Sequence, residues 1–382
     1  MAEPNQTQGQ TENNLEDVAH FYGPMVTGVT VSQQGRVFVS FPSRSFVEFP
    51  KAVDEVHYTV AELRDGYEVP YPNLDINQAK NDHDPEAMIS VQSVVVDAQD
   101  RLWALDTGRP DFQPPSYGGP KLMGFDLGQN RAFQTILFPR NVALPTSYLN
   151  DMRFDLRRGG AGVAFITDSS DNGPNAIIVV DLATGVSWRR LHDHPSTKAE
   201  PDFTPVIDGE RLMVRPAGGP PSPLAMGADG IAFNADGSRL YYSPLAGWRL
   251  FSVDIDALVN RDIPEEQVEA TVVAEGSKPA SDGLESDSQD RLYLADYEDH
   301  AVVRRTYDGQ FQTVAQDPRL AWPNSLAVAN DGYLYITANQ YHQHARFHGG
   351  LDLRQPPYYL FRVRIDAQPV LLRPHEQQNT DH

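Results

Sequence analysis

The chain contains no cysteine in 382 residues, which excludes disulfides, thiolate metal sites and cysteine nucleophiles and fits both a reducing cytoplasm and a bacterial periplasm. No apolar run approaches the roughly 20 residues that a spanning helix needs, so no membrane insertion is expected. Basic residues are scarce: 31 Lys and Arg stand against 52 Asp and Glu, and the net charge of −21 opposes binding to nucleic acid or anionic membranes. That charge serves solubility, and it would also suit a cationic ligand. The GxSxG serine motif, the Walker A loop and the dinucleotide fingerprint are all missing, which sets nucleotide chemistry aside. The opening stretch, MAEPNQTQGQTENNLED, has neither the basic start nor the apolar centre of a signal peptide, and a leader already removed stays open.

What the chain does have is one motif written six times, a polar or glycine turn between two short apolar strands. The copies are VTVSQQGRVFVSF (29–41), QSVVVDAQDRLWALD (92–106), NDMRFDLRRGGAGVAFITD (150–168), DGIAFNADGSRLYYSP (229–244), DGLESDSQDRLYLAD (282–296) and NSLAVANDGYLYITA (324–338). A two-strand unit cannot bury both faces alone, so the copies must stack around a common axis. The pattern predicts an all-β, six-bladed β-propeller with four-stranded blades around a central channel.

Further alternating segments complete the blades: 121–127, 175–185, 250–256, 302–309 and 358–366, with 56–63 and 67–72 as the outer strands of blade 1. Residues 1–17 read as a disordered acidic tail, 18–373 as one propeller and 374–382 as a flexible C-terminal tail. Stretches 72–90, 107–120, 191–227 and 339–357 are insertions between strands, which map to the propeller faces where sites form. Residues 256–270 have helix-like composition with a proline stop inside, so at most a short helix is expected. A monomer is expected.

In a propeller the inner strands converge, so the first residues of the copies form a ring. These are Gln92, Asn150 with Asp151, Asp229, Asp282 and Asn324. Carboxylates and carboxamides are hard oxygen donors, the set that Ca²⁺ prefers, with Mg²⁺, Mn²⁺ or Zn²⁺ also possible. Asn150, Asp229, Asp282 and Asn324 are therefore the expected metal ligands. The alternative is that Asp-Gly and Pro-Asn merely serve turn geometry there. Without a cation, two buried Asp side chains would repel and one would stay protonated. The run WALDTGRPD (103–111) carries one aspartic-protease-like Asp-Thr-Gly, but that chemistry needs two, so Arg109 is expected instead to reach over the channel mouth to an anionic group. Trp322 is expected as a wall for a flat ligand, and His342, in YHQHARFHGG (341–350), as a residue that touches ligand. A zinc site from His342, His344 and His348, or from His192 and His194, lacks supporting motifs.

The segments RLWALDTGR (101–109), AFITDSSDNGPNAIIVVDLATGVSWRRLHDHPS (164–196), RLYYSPLAGWRLFSV (239–253) and WPNSLAVANDGYLYITANQYH (322–342) resemble the Yellow/major royal jelly protein family, in its bacterial branch. The resemblance covers about residues 20 to 366 and implies a six-bladed propeller with an axial pocket. Insect members of that family bind amines or sterols, or are credited with dopachrome conversion. This chain departs from them in lacking cysteine and in carrying Asp229-Gly, Asp282-Gly and Asn324. At those positions it is similar to the senescence-marker/gluconolactonase propellers, which use an axial divalent cation to hydrolyse sugar lactones. Asn150 with Asp151, Asp229 and Asp282 match that family's ligand positions. Its first-blade Glu has no counterpart in MVTGVTVS (25–32), so a site here would either recruit Asn324 instead or bind no metal. The resemblance implies an extracellular or periplasmic protein, with a cytoplasmic one as the alternative.

Two functions follow. One is a metal-dependent lactonase in which Asp282 or Asp229 accepts a proton and Arg109 orients substrate. The other is a metal-free binder of an amine or aromatic molecule, or a dopachrome-type isomerase. A protein-interaction scaffold is the third possibility.

Overall fold

A computed structural model describes residues 14–42 and 58–374. They form six four-stranded antiparallel sheets, with two short two-stranded ladders beside them. The inner strands are Val29–Val31, Val91–Val96, Leu149–Asp155, Ala228–Phe233, Ser281–Ser286 and Pro323–Val328. Each packs against the next, and the last against the first, so the ring is closed. This is the six-bladed propeller that the repeats predict, and the outer strands of blade 1 fall at Val60–Arg64 and Tyr67–Pro70 as expected.

Alternation explains the blades. Period-2 side chains bury one set against each neighbouring blade, and the core is accordingly a series of inter-blade layers. Trp103, Leu105, Met152 and Ile166 lie between blades 2 and 3, and Phe165, Ile177, Ile231 and Tyr242 between blades 3 and 4. The polar turns are held by buried carboxylates. In DAQDRLW, Asp97 accepts from Arg101 Nε at 2.7 Å and from Trp103 Nε1 at 2.8 Å. In DSQDRLY, Asp287 repeats this with Arg291 Nε at 2.6 Å and Tyr293 Oη at 2.7 Å. Asp100 and Asp290 take the left-handed turn position, with φ of 61° and 62°, as short Asx side chains tolerate.

Blade 6 is built from both ends of the chain. Its outer strand is Glu16–Phe21, antiparallel to Tyr358–Arg364, with Phe21 opposite Tyr358. The expected N-terminal tail is therefore too long. Glu16 and Asp17 belong to the propeller, where Glu16 pairs with Arg362 at 2.7 Å and Asp17 with Arg319 at 2.8 Å. The rest of that tail, 1–13, and 375–382 of the C-terminal one lie outside the described residues. Residues 256–270 contribute two short helices, Ile255–Val259 and Glu265–Glu269.

Two irregular segments shape the channel ends. The insertion after blade 3 places Phe203, Ile207 and Leu224 against Tyr297, Trp322, Tyr341 and Phe347, which builds one side of the channel mouth. At the opposite end the chain after blade 6 crosses back, with Leu156 N–H donating to Leu372 O at 3.0 Å and Ser288 N–H to Gln368 O at 2.8 Å.

Candidate functional site

The ring of first residues is real, and a local distortion creates it. In blades 2 to 6 the pairing of the inner strand shifts register where Gln92, Asn150, Asp229, Asp282 and Asn324 sit. An extra residue of this kind re-aims a side chain out of the ladder, here toward the axis. In blade 1 the regular pairing covers Val29–Val31, and just before it Thr27 N–H donates to Ser40 O and Gly28 O accepts from Ser40 N–H; the residue that joins the ring from that blade is Thr27, which sequence reasoning missed. All six line one axial cavity of about 930 Å³, its open mouth included.

The glycines after Asp229 and Asp282 have a packing origin rather than the turn role considered above. A Cβ on Gly230 would lie 2.6 Å from Asp282 O, and one on Gly283 would lie 2.3 Å from Asn324 O. The neighbouring inner strand passes too close for any side chain, so glycine is what lets adjacent blades converge.

The two carboxyl groups hydrogen-bond to each other. Asn150 Nδ2 donates to Asp229 Oδ1 at 2.5 Å, and Asn324 Nδ2 to Asp282 Oδ2 at 2.6 Å. Both acids are buried. Burial holds each well above the usual carboxylate range, and for Asp229 the facing Asp282 pushes the same way. Among the described residues no ion pair reaches either one. Lys278, fully enclosed behind blade 5, donates to Gly247 O, Pro279 O and Ser281 Oγ at 3.0–3.1 Å, and burial lowers it to about 8. The pair thus needs one proton or one cation on the axis to offset its charge.

The walls are less polar than the floor. Phe112 stacks on Tyr148 with centroids 4.8 Å apart, and Tyr148 Oη donates to Gln92 Oε1 at 2.8 Å. Tyr341, Met226 and Leu245 line the same cavity. The sequence marks none of these as cavity residues, because their roles depend on loops from different blades meeting.

Four expected site residues lie elsewhere or are already engaged. Arg109 lines the cavity, but its guanidinium donates to the carbonyls of Phe112, Gln113, Thr146 and Ser147 at 2.5–2.9 Å. It fastens loops instead of presenting a free charge. Asp151, one residue past Asn150, points the opposite way and accepts from Ser93 Oγ at 2.9 Å and Arg153 Nη1 at 3.0 Å. It lines a second cavity at the far end of the channel. Trp322 is fully buried, stacked on Tyr297 at 4.1 Å, and donates from Nε1 to Asp282 Oδ2 at 2.6 Å. His342 is buried beside Trp322 and lines a separate surface cleft. Burial lowers it to about 4. The histidine at the axial cavity is His344.

The family model described as "Major royal jelly protein" matches residues 89–366. Major royal jelly protein 7 of Apis mellifera is 26% identical over 206 residues, which cover 52% of this chain and 42% of that protein. The chain spans less than half the length of the royal jelly proteins it matches. Among solved structures, the calcium-binding protein regucalcin from Agrobacterium tumefaciens superposes with a TM-score of 0.53 at 15% identity, covering 94% of this chain and 97% of that one. A gluconolactonase from Xanthomonas campestris does so with a TM-score of 0.53 at 14% identity, covering 92% and 90%. At these identities the likeness is one of fold.

Proposed function

The chain belongs to the major royal jelly protein family, and we propose that its axial cavity is the active site of a hydrolase acting on a small cyclic ester, with a divalent cation as cofactor. The observation that carries this reading is the buried Asp229–Asp282 pair, which no salt bridge reaches among the described residues and on which Lys278 acts only at longer range, beside the carboxamides of Asn150 and Asn324. The donor chemistry fits a hard cation. Two carboxylates supply charge, and each carboxamide offers oxygen in place of nitrogen after a half-turn of its amide. Asp229, Asp282, Asn150 and Asn324 would hold Ca²⁺ most readily. When bound, it would polarise the ester carbonyl.

The chain's own residues do the rest. Asp282 takes the proton of the attacking water as its oxygen adds to the carbonyl carbon. The same proton passes to the ring oxygen as the carbon–oxygen bond breaks. Thr27 and Gln92 supply polar contacts on the cavity floor, and Phe112, Tyr148 and Tyr341 keep bulk water from the reacting face. The test is metal analysis of the purified protein together with lactone hydrolysis before and after chelator. Copurifying Ca²⁺ and a chelator-sensitive rate support the reading. Neither metal nor hydrolysis would sink it.

A second reading rests on the aromatic walls. An acid pair beneath the Phe112–Tyr148 stack also suits an aromatic amine, whose ammonium would sit on the carboxylates. Calorimetry with a biogenic amine decides it: Asp229→Asn should cost at least tenfold in affinity, and unchanged affinity contradicts the charge pairing.

A further inference from the structure

Trp322 stands in a conformation that its own chemistry disfavours. Its φ is +59°, and among the described residues only Phe112 and Leu191 are other large apolar side chains with positive φ. A bulky residue pays sterically in this left-handed region. The following Pro323 narrows it further toward extended backbone. The surroundings hold it there regardless. Asn339 N–H donates to Trp322 O at 3.2 Å, and Gln340 N–H to Ala321 O at 2.8 Å.

The indole is boxed on several sides. Tyr297 lies parallel to it at 4.1 Å and 5°, Tyr341 meets it edge-on at 5.3 Å and 74°, and the His342 ring lies near-parallel at 6.2 Å. Tyr297 is itself tied down, donating from Oη to Leu245 O at 2.7 Å. The outcome of strain and box is one contact, the 2.6 Å bond from Nε1 to Asp282 Oδ2. An indole N–H is a donor only and cannot be turned into an acceptor, unlike the carboxamide of Asn324, which reaches the same oxygen at 2.6 Å.

We infer that Trp322 is a positioning residue for Asp282: its N–H holds Oδ2 whichever way the Asn324 amide is turned, and so aims Oδ1 at Asp229 and the axis. Asp229 has no equivalent: apart from Asp282 itself, the side-chain donor that reaches its carboxyl group is the carboxamide of Asn150, at Oδ1. The pair is therefore asymmetric, with Asp282 fixed in place and Asp229 the freer member. This rests on the reading of the pair as the reaction centre, but its test does not need a substrate.

The full chain, labelled with ¹⁵N at tryptophan, gives indole signals from four residues, and that of Trp322 is assigned by its Overhauser contact to the Tyr297 ring. Asp282→Asn should move the Trp322 signal upfield by several times any change at Trp103, Trp188 or Trp248, while Asp229→Asn moves it less. An unmoved Trp322 signal in Asp282→Asn overturns the inference, as does an equal response to both variants. In a second experiment Trp322→Phe keeps the stacked ring and removes the donor. It should lower kcat for lactone hydrolysis about tenfold, as the loss of one charge-assisted bond implies, with KM within about twofold. Unchanged kcat in folded Trp322→Phe also overturns it. Absence of any hydrolysis, with the indole response intact, would count against the proposed activity alone.

Discussion

The propeller axis carries two sets of acids, and they are held in opposite ways. At the end where the inner strands begin, Asp229 and Asp282 face each other with no ion-pair partner among the described residues. Toward the other end, Asp151 and Glu285 share the guanidinium of Arg153, at 3.0 and 3.3 Å. Blade 5 supplies members of both sets, Asp282 and then Glu285, and blade 3 gives Asn150, which donates to Asp229, and then Asp151 and Arg153. The upper acids are buried and the lower ones partly buried, but the larger difference is in counter-charge. The lower set has its counter-charge built in, which is how a fold closes a channel. The upper set leaves its counter-charge to be supplied, which is how a fold makes a site.

The strongest way to break this contrast is Arg153→Met. It strands two partly buried carboxylates without a cation, and stability should fall by about 3 kcal/mol in urea unfolding; a loss under about 1 kcal/mol would mean the lower acids do not need their partner. Asp229→Asn should go the other way. Both upper carboxyls titrate above their unfolded values, so the stability they contribute is present below the unfolded value and lost as pH rises through the folded one. In chelator-treated protein, wild type should therefore lose stability from pH 5 to pH 9 more steeply than Asp229→Asn. The variant should be the more stable at pH 9 by about 1–3 kcal/mol. Parallel curves would show that the upper pair is already compensated. The smallest effect is expected from Glu285→Gln, which keeps hydrogen-bonding capacity and the Arg153–Asp151 pair; thermal unfolding should give a change under about 1 kcal/mol.

The contrast was half legible in the sequence. The repeats carry period-2 alternation and Asx or Gly turns, both local signals, so six strand pairs and the ring of first residues could be read directly. The direction of each ring side chain could not. Asn150 and Asp151 are adjacent, and only the register shift sends one up and the other down. Thr27 precedes a glycine just as Asp229 and Asp282 do, a signal that was present but lay outside the copied motif. The roles of Arg109 and Trp322 depend on partners many residues away, such as the carbonyls of Thr146 and Ser147 for one and Asp282 for the other. The Glu16–Phe21 strand is short and acidic, and what identifies it is a partner at the far end of the chain.

That last pairing gives the ring an order in time. Glu16–Phe21 is synthesised before the other five blades and Tyr358–Arg364 after them. Five blades can form on an emerging chain as local hairpins, but the circle stays an open arc with an exposed strand edge until Tyr358–Arg364 has emerged. Closure across so wide a sequence separation is slow, and an unpaired edge invites pairing between copies meanwhile. These two strands thus act as a clasp, and a protein interrupted before residue 358 would lack the one that fastens it.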